Sequence, residues 1–150
     1  MTTADFLIKG ASLPDGKKAD ISISNGVIAS VGSGFKGEAQ TVIDGKDCVV
    51  LPGLVDLHTH LREPGREDAE TVLSGSSAGV KGGFTAVSAM ANTSPVADTA
   101  GVVEQVYRLG QEAGLLDVFP IGAVTQGLKG ESLSEIGAMA DSVARVRVFS

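Results

Sequence analysis

The chain has 150 residues, 43% hydrophobic and 20% charged, with a formal net charge of −6. That length suits one domain and is short for two, and the balance builds a packed core and excludes a disordered chain. No cluster of Lys or Arg is dense enough to track phosphates, which excludes nucleic acid as a partner, and a single cysteine excludes an internal disulfide or a Cys-rich zinc cluster.

The N-terminal stretch "MTTADFLIKGASLPDG" has neither a basic leader nor a long apolar run, so it is not a signal peptide. No segment approaches the ~20 apolar residues of a membrane span. A soluble, cytoplasmic protein is the expectation. The first 48 residues are β-rich: "DFLIKGASL", "ADISISNGVIASVG" and "TVIDGKDCVV" are β-prone runs separated by turn residues. Asn25-Gly26 marks a two-residue hairpin and Pro14-Asp15-Gly16 a second turn. Cys48 reads as a small hydrophobe in a strand. The string "GSGFKG" at 32–37 matches a G-x-G-x-x-G pattern, but β-prone "TVID" follows it instead of a helix, so it reads as a turn and not a dinucleotide site.

From residue 49 the rhythm changes. "VVLPGLVDLHTH" is a nearly continuous apolar strand, the pattern of a parallel strand buried on both faces. A helical stretch, "EDAETVLSGSSAGVKGG", stops at Gly82-Gly83, with Gly75 and Gly79 one turn apart to allow close packing on a sheet. "FTAVSAMA" is a strand. "DTAGVVEQVYRLGQEAGL" is a helix with Val102, Val103, Val106, Leu109 and Ala113 at helical spacing. "DVFPIGAVT" is a strand, "SLSEIGAMADSV" a helix opened by a Ser132-x-x-Glu135 capping signal, and "ARVRVFS" a strand. This β-α alternation predicts an α/β fold with a parallel sheet, closed either as an open doubly wound sheet or as half of a (β/α)8 TIM-type barrel. A full barrel takes ~250 residues. A chain that stops on an apolar strand reads as an N-terminal fragment: a β-rich segment over 1–48, then four barrel strands over 49–150.

Both histidines of the chain lie in "VDLHTHLREPG" at 55–65. Alternate strand residues share a face, so Asp56, His58 and His60 point the same way. The two imidazoles are roughly 7 Å apart at Cα, close enough to converge on one ion at ~2.0–2.1 Å. His-x-His alone is also what ordinary surface or core histidines look like. Its place at the end of a buried strand, where a barrel builds its active site, favours a metal site. Asp56 is placed to orient a histidine, and Pro64-Gly65 turns the chain away, leaving Arg62 on a loop at the mouth. A catalytic zinc usually takes three protein ligands, so the rest must be carboxylates here or residues after Ser150. In "SAMANTSP" at 88–95, Asn92 reads either as part of a polar turn or, with the planar fork of Arg62, as a clamp for a substrate carboxylate.

"LPGLVDLHTHLREPG" followed by "GVKGGFTAVSAMANTSP" resembles the amidohydrolase superfamily, and within it class I dihydroorotase, over essentially the whole chain. The resemblance implies a small β-sandwich domain, to which residues 1–48 contribute, and a metal-dependent hydrolase barrel beginning at 49. It implies zinc as cofactor, two ions, with His58 and His60 on the more buried one. Arg62 and Asn92 would hold the carboxylate of dihydroorotate, with His60 also beside the substrate. The bridging ligand, the second ion's histidines and the acid–base aspartate are expected beyond residue 150. Ala91 stands where the family usually has proline, which puts the rigidity of the Asn92 loop in question.

The implied reaction is the interconversion of N-carbamoyl-L-aspartate and L-dihydroorotate, in pyrimidine biosynthesis. The alternatives are another cyclic amidohydrolase, hydantoinase or allantoinase, or an inactive dihydroorotase-like scaffold for a transcarbamoylase. Intact His58 and His60 weigh against the scaffold. The implied partners are a small-molecule substrate, with no nucleic acid and no membrane; a homodimer and an aspartate transcarbamoylase complex stay open.

Overall fold

The computed structural model describes residues 3–150. The backbone divides into two compact units, one running to Pro52 and one over Gly53–Ser150.

In the first unit four strands, β1 (Thr3–Ser12), β2 (Lys18–Ser24), β3 (Val27–Gly32) and β4 (Glu38–Asp44), form one mixed sheet in the order β3-β2-β1-β4. The two predicted turns form. The Leu13 amide donates to the Lys17 carbonyl across Pro14-Asp15-Gly16, and the Gly16 amide, at φ +81°, donates to the Leu13 carbonyl. Asn25 and Gly26 sit at φ +53° and +73°, both in the left-handed region that a two-residue hairpin turn needs. β1 is central, antiparallel to β2 and parallel to β4. Ala4, Leu7, Ala11, Ala19 and Ile21 are buried, whereas Val27, Ile28, Val31, Val42 and Ile43 are exposed. Cys48 departs from expectation: it is exposed and lies outside any strand, because the chain turns at Lys46-Asp47 before Val49 bridges to Ser12.

The second unit has a parallel three-stranded sheet, β5 (Leu54–Thr59), β6 (Phe84–Ala89) and β7 (Asp117–Pro120), in sequential order. Helix α1 (Val72–Lys81) joins β5 to β6, and α2 (Ala100–Ala113) joins β6 to β7. α1 starts five residues later than the helical stretch read from sequence. Its true cap is Thr71, whose hydroxyl accepts from the Ser74 amide while Ser74 returns a bond to the Thr71 amide. The glycine prediction holds: a Cβ at Gly75 would come within 2.6 Å of Leu61, and at Gly79 within 2.8 Å of Leu116. The α2 stripe turns Val103 and Val106 into two core clusters, one around Val87 and Val118, the other around Ala123 and Met139. Truncating the fully buried Met139 to Ala would cost about 2–5 kcal/mol.

Among the described residues β5 pairs with β6 and Leu57 is 73% exposed. Two expectations differ here. The last helix, α3 (Ile136–Asp141), follows an N-cap at Glu135 that makes no side-chain cap bond, and Ser132 lies four residues ahead of its first residue, its carbonyl accepting from the Gln126 amide. Finally "ARVRVFS" forms no strand. Arg145 at φ +45° interrupts the run near its start, Ala144 and Val146 fill the second core cluster, and Val148–Ser150 lies along Gly122–Val124 through a parallel Gly122–Phe149 bridge and three backbone bonds.

Candidate metal and carboxylate site

The C-terminal end of β5 carries the two histidines. Their ring centroids are 5.1 Å apart, edge to face, as the shared strand face requires. Among the described residues both are exposed. Asp56 does not orient an imidazole. Its carboxylate accepts the backbone amide of His58 at 2.9 Å. That bond, aided by the Thr59 hydroxyl and by the positive charge His58 can carry, holds the Asp56 carboxyl below its ordinary range. The Thr59 hydroxyl is buried and outside hydrogen-bond geometry, so its pull is the weaker one.

The ring of His60 is held. Its Nδ1 lies 2.8 Å from Oδ1 of Asn92, at the end of β6. Parallel pairing brings these together: Thr59 pairs with Ala89, and the Met90 amide donates to the Thr59 carbonyl, so the exits of β5 and β6 are neighbours. The sequence groups Asn92 with Arg62; the structure places Asn92 against His60. The half-buried Arg62, at φ +63°, makes no side-chain ion pair among the described residues.

The two loops are nevertheless fastened to each other. The Ser94 amide donates to the Pro64 carbonyl at 2.9 Å, and Gly65, at φ +100°, lies so close that a Cβ there would sit 2.1 Å from the Ser94 carbonyl oxygen. Only glycine meets both conditions. The Asn92 loop is also closed on itself, by the Ala97 amide on the Ala91 carbonyl at 3.0 Å and the Thr93 hydroxyl on the Pro95 carbonyl at 2.7 Å. Ala91 is buried.

Glu63 is a residue that the sequence reading missed. Its carboxylate accepts the Val72 amide at 2.7 Å, the first residue of α1, and so ties the loop after Arg62 to a helix N-terminus. The signal was present as an acidic residue flanked by Arg62 and Pro64. Its reach of nine residues is a tertiary fact.

As a donor set, two imidazoles fit part of a zinc site. A proton on Nδ1 of His60, donated to Asn92, leaves Nε2 for a cation. Among the described residues no group of three His, Cys, Asp or Glu could hold a metal ion. Among the same residues no helix is long and apolar enough to cross a membrane.

A family described as dihydro-orotase-like matches residues 47–147. The dihydroorotase of Leifsonia xyli subsp. xyli is 60% identical over all of this chain, and that of Streptomyces coelicolor 60% identical over 96% of it. Each match covers 34% of the relative, so the chain spans about a third of their length. Among solved structures, an L-hydantoinase from Arthrobacter aurescens superposes with a TM-score of 0.68 at 25% identity, over 83% of this chain and 29% of that one.

Proposed function

The chain belongs to the dihydro-orotase-like family, and on that premise we propose that it is the N-terminal part of a zinc-dependent dihydroorotase. The reaction is the interconversion of N-carbamoyl-L-aspartate and L-dihydroorotate, in cytoplasmic pyrimidine biosynthesis. In this reading the first unit is part of a β-sandwich, and β5, β6 and β7 open a (β/α)8 barrel whose catalytic face lies at the strand C-termini. The observation that carries it is the pair of imidazoles 5.1 Å apart with the second ring tied to Asn92.

His58 and His60 would hold zinc, which lowers the pKa of a water nucleophile and polarises the ring carbonyl. Arg62 supplies two parallel N–H donors to the ring carboxylate of dihydroorotate, and Asn92 supplies its amide nitrogen beside them. Together they fix the ring against the metal, which converts part of the barrier into binding. A second zinc, the remaining ligands and the acid–base carboxylate belong to the longer protein. Hydantoinase is the rival that the fold similarity favours. It differs at Arg62, because only dihydroorotate presents a ring carboxylate there. Self-association, or association with an aspartate transcarbamoylase, is read from the sedimentation of the full-length protein.

The test uses full-length enzyme. His58→Ala should abolish dihydroorotate turnover and lower zinc content. Full zinc occupancy in a His58→Ala, His60→Ala double variant would sink the assignment.

A further inference from the structure

We propose that Asn92 is a positioning residue for His60: it selects the ring tautomer that binds metal, and the same contact decides which end of its own amide faces substrate. This rests on the zinc reading of His60. The contact is the 2.8 Å approach of Nδ1 of His60 to Oδ1 of Asn92. A neutral imidazole carries one N–H and one lone pair, and a carboxamide oxygen only accepts. Nδ1 therefore holds the proton and Nε2 the lone pair. The opposite amide orientation would donate from Nδ2 to Nδ1, put the proton on Nε2 and remove that nitrogen from coordination. Metal binding through Nε2 and the Oδ1 contact thus require each other.

The consequence reaches the substrate. With Oδ1 engaged, both N–H groups of Nδ2 remain, and no acceptor among the described residues takes them. Asn92 then offers donors only, which suits an anionic oxygen and matches the donor-only guanidinium of Arg62. The Asn92 side chain is exposed, but the backbone that carries it is fixed. Its neighbours Ala91 and Thr93 are buried, and the 91–97 loop is pinned by the Ala97, Thr93 and Ser94 bonds. The last of these runs to the Pro64 carbonyl, on the loop that carries Arg62. One side chain therefore joins metal retention to carboxylate recognition.

Two variants of the full-length enzyme separate the halves of this role. Asn92→Asp keeps an acceptor on His60 and loses the donors; Asn92→Ala loses both. Zinc release to a chelator should correspond to a ~10–100-fold weaker affinity in Asn92→Ala and be unchanged or slower in Asn92→Asp. KM for dihydroorotate should rise at least tenfold in both. In chelator-stripped protein, ring-nitrogen NMR should show His60 protonated on Nδ1, and Asn92→Ala should lose that preference. Equal zinc retention in wild type and Asn92→Ala would overturn the proposal. So would equal zinc loss in both variants, which marks a loop defect and not a lost acceptor. A wild-type enzyme that binds no zinc would refute the functional reading itself, while the NMR spectrum judges the Asn92–His60 contact separately.

Discussion

The 32–37 loop of the first unit and the Arg62 and Asn92 loops of the second each turn on one glycine in the left-handed region, Gly34 and Gly65, and each presents hydrogen-bond donors. They differ in what their donors face. In the first, the amides of Gly34 and Phe35 donate to Oδ2 of Asp20 at 3.1 and 3.3 Å, while Gly10 donates to its other oxygen at 3.0 Å. The anion is the protein's own, and these bonds hold the Asp20 carboxyl below its ordinary range. In the second, the backbone is equally well tied, through Pro64–Ser94 and Glu63–Val72, but the guanidinium of Arg62 and the amide nitrogen of Asn92 face no protein acceptor among the described residues. A glycine-rich turn is a scaffold when its donors are spent internally. It becomes a binding site when the fold secures the backbone and leaves side-chain donors unspent.

Removing an unspent donor should produce the largest effect. Arg62→Met keeps bulk and loses two charge-assisted bonds worth ~1.5–3 kcal/mol each. In the full-length enzyme kcat/KM for dihydroorotate should fall by about two to four orders of magnitude with zinc retained. Lysine should rescue in part, because a point charge does not reproduce the fork. An analogue without the ring carboxylate should be indifferent to the change. Equal losses on both substrates would make Arg62 a structural residue of its loop.

Loosening the backbone beneath those donors should cost less and act on both loops. Gly65→Ala puts a Cβ against the Ser94 carbonyl and imposes φ +100° on an L-residue. A destabilisation of about 2–3 kcal/mol is expected, read from urea unfolding, with KM raised because Arg62 and Asn92 no longer share a fixed spacing. An unchanged unfolding midpoint would show that the loops are not fastened at this point.

The smallest effect belongs to the internal anion. Asp20→Asn should speed hydrogen exchange at Gly10, Gly34 and Phe35 without touching turnover. Because the folded pKa is lowered, the stabilisation from Asp20 is complete above the unfolded value of ~3.9 and fades as pH falls through the folded one. The exchange difference between wild type and variant should therefore shrink over that acid window. A difference that grew on acidification would contradict the bonding.

Much of this was legible in the sequence because it is local. The Asn25-Gly26 hairpin follows from backbone sterics, the Gly75–Gly79 packing from helix spacing, the sequential parallel strands from β-α alternation, and the common face of His58 and His60 from the strand period of two. Motif strings did the rest for the family, since His-x-His-x-Arg-x-Pro-Gly is a linear pattern. What the tertiary structure alone decided are contacts between segments distant in the chain. Asn92 meets His60 across 32 residues, and Glu63 meets Val72 across nine. Asp56 spends its carboxylate on an amide, where the sequence reading had it turning a ring. Arg145 takes a left-handed φ near the start of a run of strand-forming residues. Alternation sets the direction in which a side chain leaves the backbone. Which partner waits there depends on strand register and loop closure, and those are set by packing over the whole unit.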